Sequence, residues 1–338
     1  MITCYKHLSM RLCAIAIFQL LCATANAQTW QWGKIGGAAG DQSGYFGDER
    51  IMDIKTDAHG NVYALSHIHN NSPRVTGTSI TGYGSTDILF LSYDCNGNFR
   101  WKKQIGSSQS DYAIGMGMDT LGHVYVSGLV IPKQSLSQPQ VKFDADTIME
   151  AANKRSWFLI QYDTLGNFKW LRTPQADTVA FSSSVSNYRI WNMEVTADGK
   201  IYLVWKSLAG KLSAPGNHVL PTSGHYLLAY DKNGNFQGVN PMQLDVYDAS
   251  FMCRLKYNSH DGSLYYYGET YPYGASGYVK MNNTTLTKRY FMAKYTTNGS
   301  FTSVIESDGG GFGGMQFDTD GSMYLTGTGI SGRQHLGQ

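Results

Sequence analysis

The sequence predicts an all-β chain of repeated four-stranded antiparallel modules, arranged as the blades of a β-propeller. Three observations carry that reading. The first is composition: of 338 residues only 15% are charged, five are Glu, and Gly (38) and Tyr (23) are abundant. A helix-rich chain needs more Glu, Lys, Leu and Ala. A disordered chain has fewer aromatics than the 13% found here. The other two observations are two glycine turns that alternate along the chain.

One turn reads Asp57-Ala-His-Gly60-Asn-Val-Tyr63 and recurs around Gly122, Gly199, Gly262 and Gly321, with a Tyr three residues after each Gly. Successive copies are 62, 77, 63 and 59 residues apart. The second reads Tyr93-Asp94-Cys-Asn-Gly97-Asn-Phe99-Arg-Trp101 and recurs around Gly166, Gly234 and Gly299, with Tyr four before and Phe two after each Gly. An Asp, Asn, Ser or Thr at the turn's first position accepts a backbone N–H two residues on. The Gly takes the left-handed conformation that closes a short hairpin with a bulge.

Short β-prone runs flank every turn, among them Ile88–Leu91 and Val124–Val126. One unit therefore holds strand, tight turn, strand, long loop, strand, tight turn, strand. Serial units of this kind are propeller blades. Complete units are expected at about 50–106, 112–174, 189–244 and 250–306, with a partial fifth at 312–330. The segment Trp30-Gln-Trp32-Gly-Lys-Ile-Gly36-Gly37 resembles a fourth strand (compare Trp101–Gly106), the kind of orphan strand that closes a ring. With two strands of the fifth unit present, an incomplete ring is expected.

Residues 1–27 read as a secretory leader, with Lys6 and Arg11, an apolar run from Leu12 to Ala23, and Ala25-Asn-Ala27 before a cleavage point at Gln28. The run is too short to span a bilayer, and no later stretch is long and apolar enough for a transmembrane segment. Removing the leader brings the 27 Lys and Arg level with the 25 Asp and Glu. A neutral chain with dispersed charge argues against nucleic acid as a partner. Three of the five cysteines leave with the leader, so Cys95 and Cys253 make no disulfide framework. The expected localisation is secreted or cell surface.

At these residues the chain resembles the SBBP-type (seven-bladed β-propeller) repeats of secreted bacterial proteins. The matching residues are Gly36-Gly37, Asp41 and Asp57–Tyr63, then Gly106, Asp111 and Asp119–Gly128. The third and fourth units depart from the pattern: Trp205 stands for the Gly after the strand, and Gly238 and Ser303 stand for the Trp. The resemblance covers about 30–330. It implies architecture and export, with type IX secretion as one route and a C-terminal sorting domain that this stretch does not show. It implies no assigned chemistry.

Propeller geometry puts both tight turns on one rim and the long connections on the other, where binding concentrates. The candidate ligand residues there are His67, His69, Tyr83, Trp157, Trp191, Tyr271 and Tyr273. First strands line the channel, with Asp53, Met116, Trp191 and Arg254 as wall candidates. Asp94-x-Asn96-Gly97-Asn98, Asp231-x-Asn233-Gly234-Asn235 and Asp318-x-Asp320-Gly321 alternate oxygens as calcium loops do, but lack the Gly and Glu spacing of one; a hairpin is the expected role. His67-Ile-His69 has a spacing that metals accept, and an exposed loop start is expected instead. Asn70, Asn282, Asn283 and Asn298 fit the glycosylation triplet. No motif selects a carboxylate pair from Glu49, Glu150, Glu194, Glu269 and Glu306, and Asp41, Asp111 and Asp177 recur as scaffold does. No cofactor and no catalytic residue are expected. The function expected is a non-catalytic binding module for a glycan or protein. The alternatives are a polysaccharide-active enzyme using channel acids and a structural surface module.

Overall fold

The computed structural model describes residues 32–34, 36–37, 51–69, 73–131, 140–143, 148–150, 156–173, 193–207, 210–212, 218–220, 224–247, 249–272, 277–308 and 313–327. The leader, Trp30, Asp41, Glu49, Asn70, Asp177, Trp191 and Tyr273 lie outside them. The chain divides into two units, residues 1–34 and 35–338; every described strand belongs to the second.

The described residues of that unit contain strands and no helix. The first sheet runs Ile51–Thr56, Val62–His69, Thr86–Tyr93, Phe99–Gly106. The second runs Tyr112–Met118, His123–Val130, Ser156–Asp163, Phe168–Arg172. The third runs Met193–Val195, Ile201–Ser207, Gly224–Tyr230, Phe236–Pro241. The fourth runs Ala249–Asn258, Ser263–Pro272, Tyr290–Thr296, Phe301–Ser307. The fifth module is a hairpin, Gly314–Phe317 with Met323–Thr326. Each strand pairs antiparallel with the next in its sheet. The first strands of the five modules lie side by side in chain order. This is the arrangement expected of propeller-like modules.

Burial follows from position in the sheet. Thr86–Tyr93 is a middle strand covered on both faces, and all but one of its residues are buried. Its sequence is accordingly a near-continuous apolar run rather than an alternation. At the hub the first strands of the second and third modules approach closely: a Cβ on Gly117 would lie 2.2 Å from Val195 Cγ2. Only glycine fits there.

The turns form as the sequence predicts. All nine turn glycines have φ between +67° and +86°. Asp57 Oδ1 accepts the His59 and Asn61 N–H groups, both at 2.9 Å, and the pattern repeats at Asp94, Asp119, Asp163 and Asp231. These aspartates serve as hairpin caps, the role expected of the calcium-like motifs. In the fourth module the cap is Asn258, one residue earlier than the sequence suggested, and its Oδ1 accepts the His260 N–H. The recurring Tyr returns to the cap: Tyr63 and Tyr125 hydroxyls donate to Asp57 and Asp119 Oδ2 at 3.0 and 2.7 Å. Every second-type turn carries its bulge at the same place, so that Tyr93, Tyr162, Tyr230 and Tyr295 face Phe99, Phe168, Phe236 and Phe301. The four tyrosines are buried, while the phenylalanines divide: Phe99 and Phe168 lie across their hairpins, exposed at the rim, and Phe236 and Phe301 pack partly buried against the apolar cluster.

The long connections are more ordered than their composition suggested. Each contributes a small hairpin: Arg74–Val75 with Thr78–Ser79, Gln140–Phe143 with Ile148–Glu150, Gly210–Leu212 with His218–Leu220, and Tyr278–Met281 with Thr284–Thr285. The second module's hairpin pairs back onto the first sheet, Lys142 opposite Gly106 and Phe143 opposite Ile105. Gly36–Gly37 pairs with Val75 and Arg74 in the same way. That parallel fits the equivalence of Ile35-Gly36 with Ile105-Gly106.

Candidate functional site

A half-open cavity of about 860 Å³ lies along the hub, lined by first strands from all five modules. Its wall follows the repeat. Counted back from the first residue of each first-type turn, the second positions are Lys55, Gly117, Glu194, Lys256 and Gln316. All but Gly117 line the cavity. The fourth positions include Asp53, Gly115, Arg254 and Gly314, and these line it too. Side chains alternate along a strand, so the third positions face the neighbouring sheets instead. Those are Ile54, Met116, Met193, Leu255 and Met315; all are apolar and all but Ile54 are buried, and Met193, Leu255 and Met315 also border the cavity, whereas Met116 does not. Met116 is thus a seam residue and not the wall residue expected from sequence. Bulges at Met52 and Ile114 add two apolar side chains to the wall.

The charges of the wall are organised. Lys55 Nζ lies 3.3 Å from Asp53 Oδ1. Lys256 Nζ lies 3.0 Å from Glu194 Oε1, which also accepts the Tyr257 N–H at 3.3 Å. Burial pushes the Glu194 carboxyl above its ordinary range, against the pull of Lys256 and, more weakly, of Lys55. At the long-loop end Arg289 Nε donates to Glu269 Oε1 at 2.6 Å. Arg254 stands opposite Tyr267 in the fourth sheet's ladder. Burial raises the Tyr267 phenol, and the Arg254 guanidinium pulls it down. The Cys253 thiol, also in the wall, is pushed well up by burial, so it is a neutral packing group and not a nucleophile.

The residues expected on the long-loop rim fare differently. His67 is buried in its strand, and its Nε2 accepts the Ala113 N–H at 2.8 Å. It ties the first sheet to the second, which corrects the exposed loop start. His69 ends the same strand, partly buried. Tyr83 donates its N–H to Asp87 at 2.5 Å, and Lys142 Nζ sits 4.8 Å from its ring centre. Trp157 pairs with Leu129 and packs on the apolar cluster between sheets. The Tyr271 backbone pairs with Ser250, its side chain lying outside the described residues with Trp191 and Tyr273. Of the four whose side chains are described, His67, His69, Tyr83 and Trp157, none lines the hub cavity. Among the described residues no group of three His, Cys, Asp or Glu could hold a metal ion.

Sequence reasoning named Glu194 and Glu269 only among acids that no motif selects, and did not single out Lys256 or Tyr267. The signal for Glu194 and Lys256 was present: residues that change from module to module at a position whose surroundings repeat. Asp111, expected as scaffold, behaves as such. It is fully buried and accepts Ser107 N–H, Ser107 hydroxyl and Ile131 N–H at 2.5, 2.9 and 2.7 Å.

The described chain is thus an all-β repeat protein with a polar cavity at its hub. No family model matches it. It is 28% identical over 124 residues to an uncharacterized WD repeat-containing protein of Acanthamoeba polyphaga mimivirus, covering 35% of this chain and 9% of that protein. It is 25% identical over 195 residues to the regulatory protein FlaEY of Caulobacter vibrioides, covering 54% of this chain and 18% of that protein. The chain matches less than a fifth of the length of either relative.

Proposed function

We propose that the chain is a run of β-propeller blades forming a non-catalytic binding module, exported to the cell surface or beyond, with its ligand site in the hub cavity and the adjoining long-loop rim. One observation carries the binding reading: the cavity wall is made of unlike residues set at like positions of the repeat. Scaffold positions repeat in kind, as the turn glycines and buried methionines do. Positions that repeat in place but differ in chemistry build a surface suited to one asymmetric ligand. The WD repeat-containing relative supports the blade reading. So do the end faces, where Ile54 and Tyr324 are 53% and 60% exposed while their counterparts Leu255 and Tyr63 are buried. The resemblance to SBBP-type repeats and the leader at 1–27 support export.

The test is to screen the purified protein on a glycan array and a panel of secreted and surface proteins, beside a panel of polysaccharide substrates. Retention of a ligand without turnover, lost on Lys256→Ala, is expected. The mature N-terminus of the exported chain, read by mass spectrometry, is expected at Gln28. A second reading, a polysaccharide-active enzyme, draws on Glu194, whose raised carboxyl shares the cavity with Glu269. Turnover abolished by Glu194→Gln would replace the binding reading with this one.

A further inference from the structure

We propose that the hub cavity selects a small hydrophilic ligand bearing a carboxylate, with Arg254 as its counter-charge. The inference rests on the binding reading above and names the chemistry of that site. Each described acid in the wall has its own cation: Asp53 has Lys55, Glu194 has Lys256, and Glu269 has Arg289. Arg254 is the cation left over. Among the described residues it has neither an ion pair nor a hydrogen-bond acceptor, and it lines the cavity from an exposed position.

A guanidinium offers a planar fork of donors that matches a carboxylate in two parallel hydrogen bonds. Its placement directly across the ladder from Tyr267 puts a phenol beside that fork. In a half-enclosed site the pair is less screened than at an open surface. The volume, about 860 Å³, fits a small molecule or a short oligomer end. The ion pairs on the wall favour a ligand rich in hydroxyl or amide groups over an apolar one. A uronate-bearing saccharide and an acidic peptide terminus share this chemistry.

The full chain should be titrated with digalacturonate, the matched neutral digalactose, a Glu-Glu dipeptide and inorganic phosphate. Lysines carrying ¹³C-methyl groups report occupancy through the Lys55 and Lys256 resonances. Binding of at least one carboxylate probe, at least ten-fold tighter than digalactose, is expected. Arg254→Gln should remove that preference and Arg254→Lys should keep part of it, with unchanged thermal midpoints because the side chain is exposed. Which carboxylate probe binds separates the saccharide source from the peptide one. Equal binding of acidic and neutral saccharides, a preference that survives Arg254→Gln, or binding of phosphate without either carboxylate would overturn the inference while leaving the cavity as a binding site. If no probe, and no array ligand, moves the two lysine resonances, the binding reading falls as well.

Discussion

The seams between successive sheets are not built alike, and the difference separates what holds the array together from what leaves room for a site. Between the first and second sheets the Trp101 ring lies against the turn at Gly166, where a Cβ would come within 2.9 Å of it. Its Nε1–H donates to the Thr164 carbonyl at 3.1 Å, and Phe90 meets its ring edge-on at 4.9 Å. The second and third sheets repeat the device. Trp170 donates to the Lys232 carbonyl at 3.1 Å, and Arg172 Nε reaches the Gly234 carbonyl at 2.6 Å. Between the third and fourth sheets the tryptophan position holds Gly238, and Gly299 faces Asn240 and Leu227. There the connection moves to the hub, through Glu194 with Lys256 and the stacked rings of Tyr202 and Tyr257. This seam, which lacks the tryptophan latch of the two before it, has its ion pair in the cavity wall.

The largest expected break in this comparison is Trp101→Ala. Removing a large ring from a well-packed seam costs about 3 kcal/mol, the low end of such deletions because Trp101 is half-buried. Urea denaturation followed by circular dichroism measures it. Trp101→Phe should recover most of the loss, leaving about 1 kcal/mol for the missing hydrogen bond. A Trp101→Ala loss below about 1 kcal/mol would mean that the rim latch is not what holds the first two sheets.

Next in size is His67→Phe, at about 2 kcal/mol. The ring volume is roughly kept, so the cost is that of leaving the buried Ala113 N–H without its acceptor. His67→Gln, which can still accept, should lose less in the same urea titration.

These seams show how far the sequence could be read. The turns were legible because glycine with a positive φ, a capping Asp and a returning Tyr all act within seven residues. The sheets followed from the turns. Strand alternation then separated seam from hub, but only once the turn was used as a ruler; Met116 was misplaced for want of it. His67 and Trp157 looked like loop residues because they sit at strand ends beside polar stretches. What buries them comes from the neighbouring module: Ala113 for one, the apolar cluster for the other. The hairpins within the long connections were hidden for a similar reason. They are two to four residues per strand, and three of them pair with chain that precedes their module, as Lys142 does with Gly106; Gly210–Leu212 with His218–Leu220 pairs with no other described strand.

A third test uses pH. Burial first, then the nearby Asp87 carboxylate, push Asp111 up to about 7, against three hydrogen bonds that favour its charge. An unfolded Asp titrates near about 4. The folded state therefore holds this proton more tightly, and stability falls as pH rises from about 4 to about 7, then levels off. The turn aspartates Asp57, Asp163 and Asp231 are lowered and act oppositely: their contribution is present above the unfolded value and lost as pH falls below it. Wild type should be less stable at pH 8 than at pH 5.5 in urea titrations. Asp111→Asn should flatten that difference, and an unchanged slope in the variant would assign the pH dependence to other groups.

The finest comparison sets two glycines side by side. Gly166 and Gly299 occupy the same place in the second-type turn, with φ of +82° and +83°. Replacing either with Ala forces the same left-handed strain, about 1 kcal/mol or somewhat more. That strain cancels between the two variants, so their difference reports the seam alone. At Gly166 the new methyl would meet the Trp101 ring at 2.9 Å, and a ring fixed by its own hydrogen bond has little room to withdraw. At Gly299 it would meet the Asn240 Cβ at 3.2 Å, in a seam with no ring to displace. Gly166→Ala should therefore be the less stable variant by on the order of 1 kcal/mol, the lower range of overpacking costs. Equal losses would mean that the third and fourth sheets are packed at the rim as tightly as the first and second, and that the missing tryptophan has been compensated by residues other than Asn240 and Leu227.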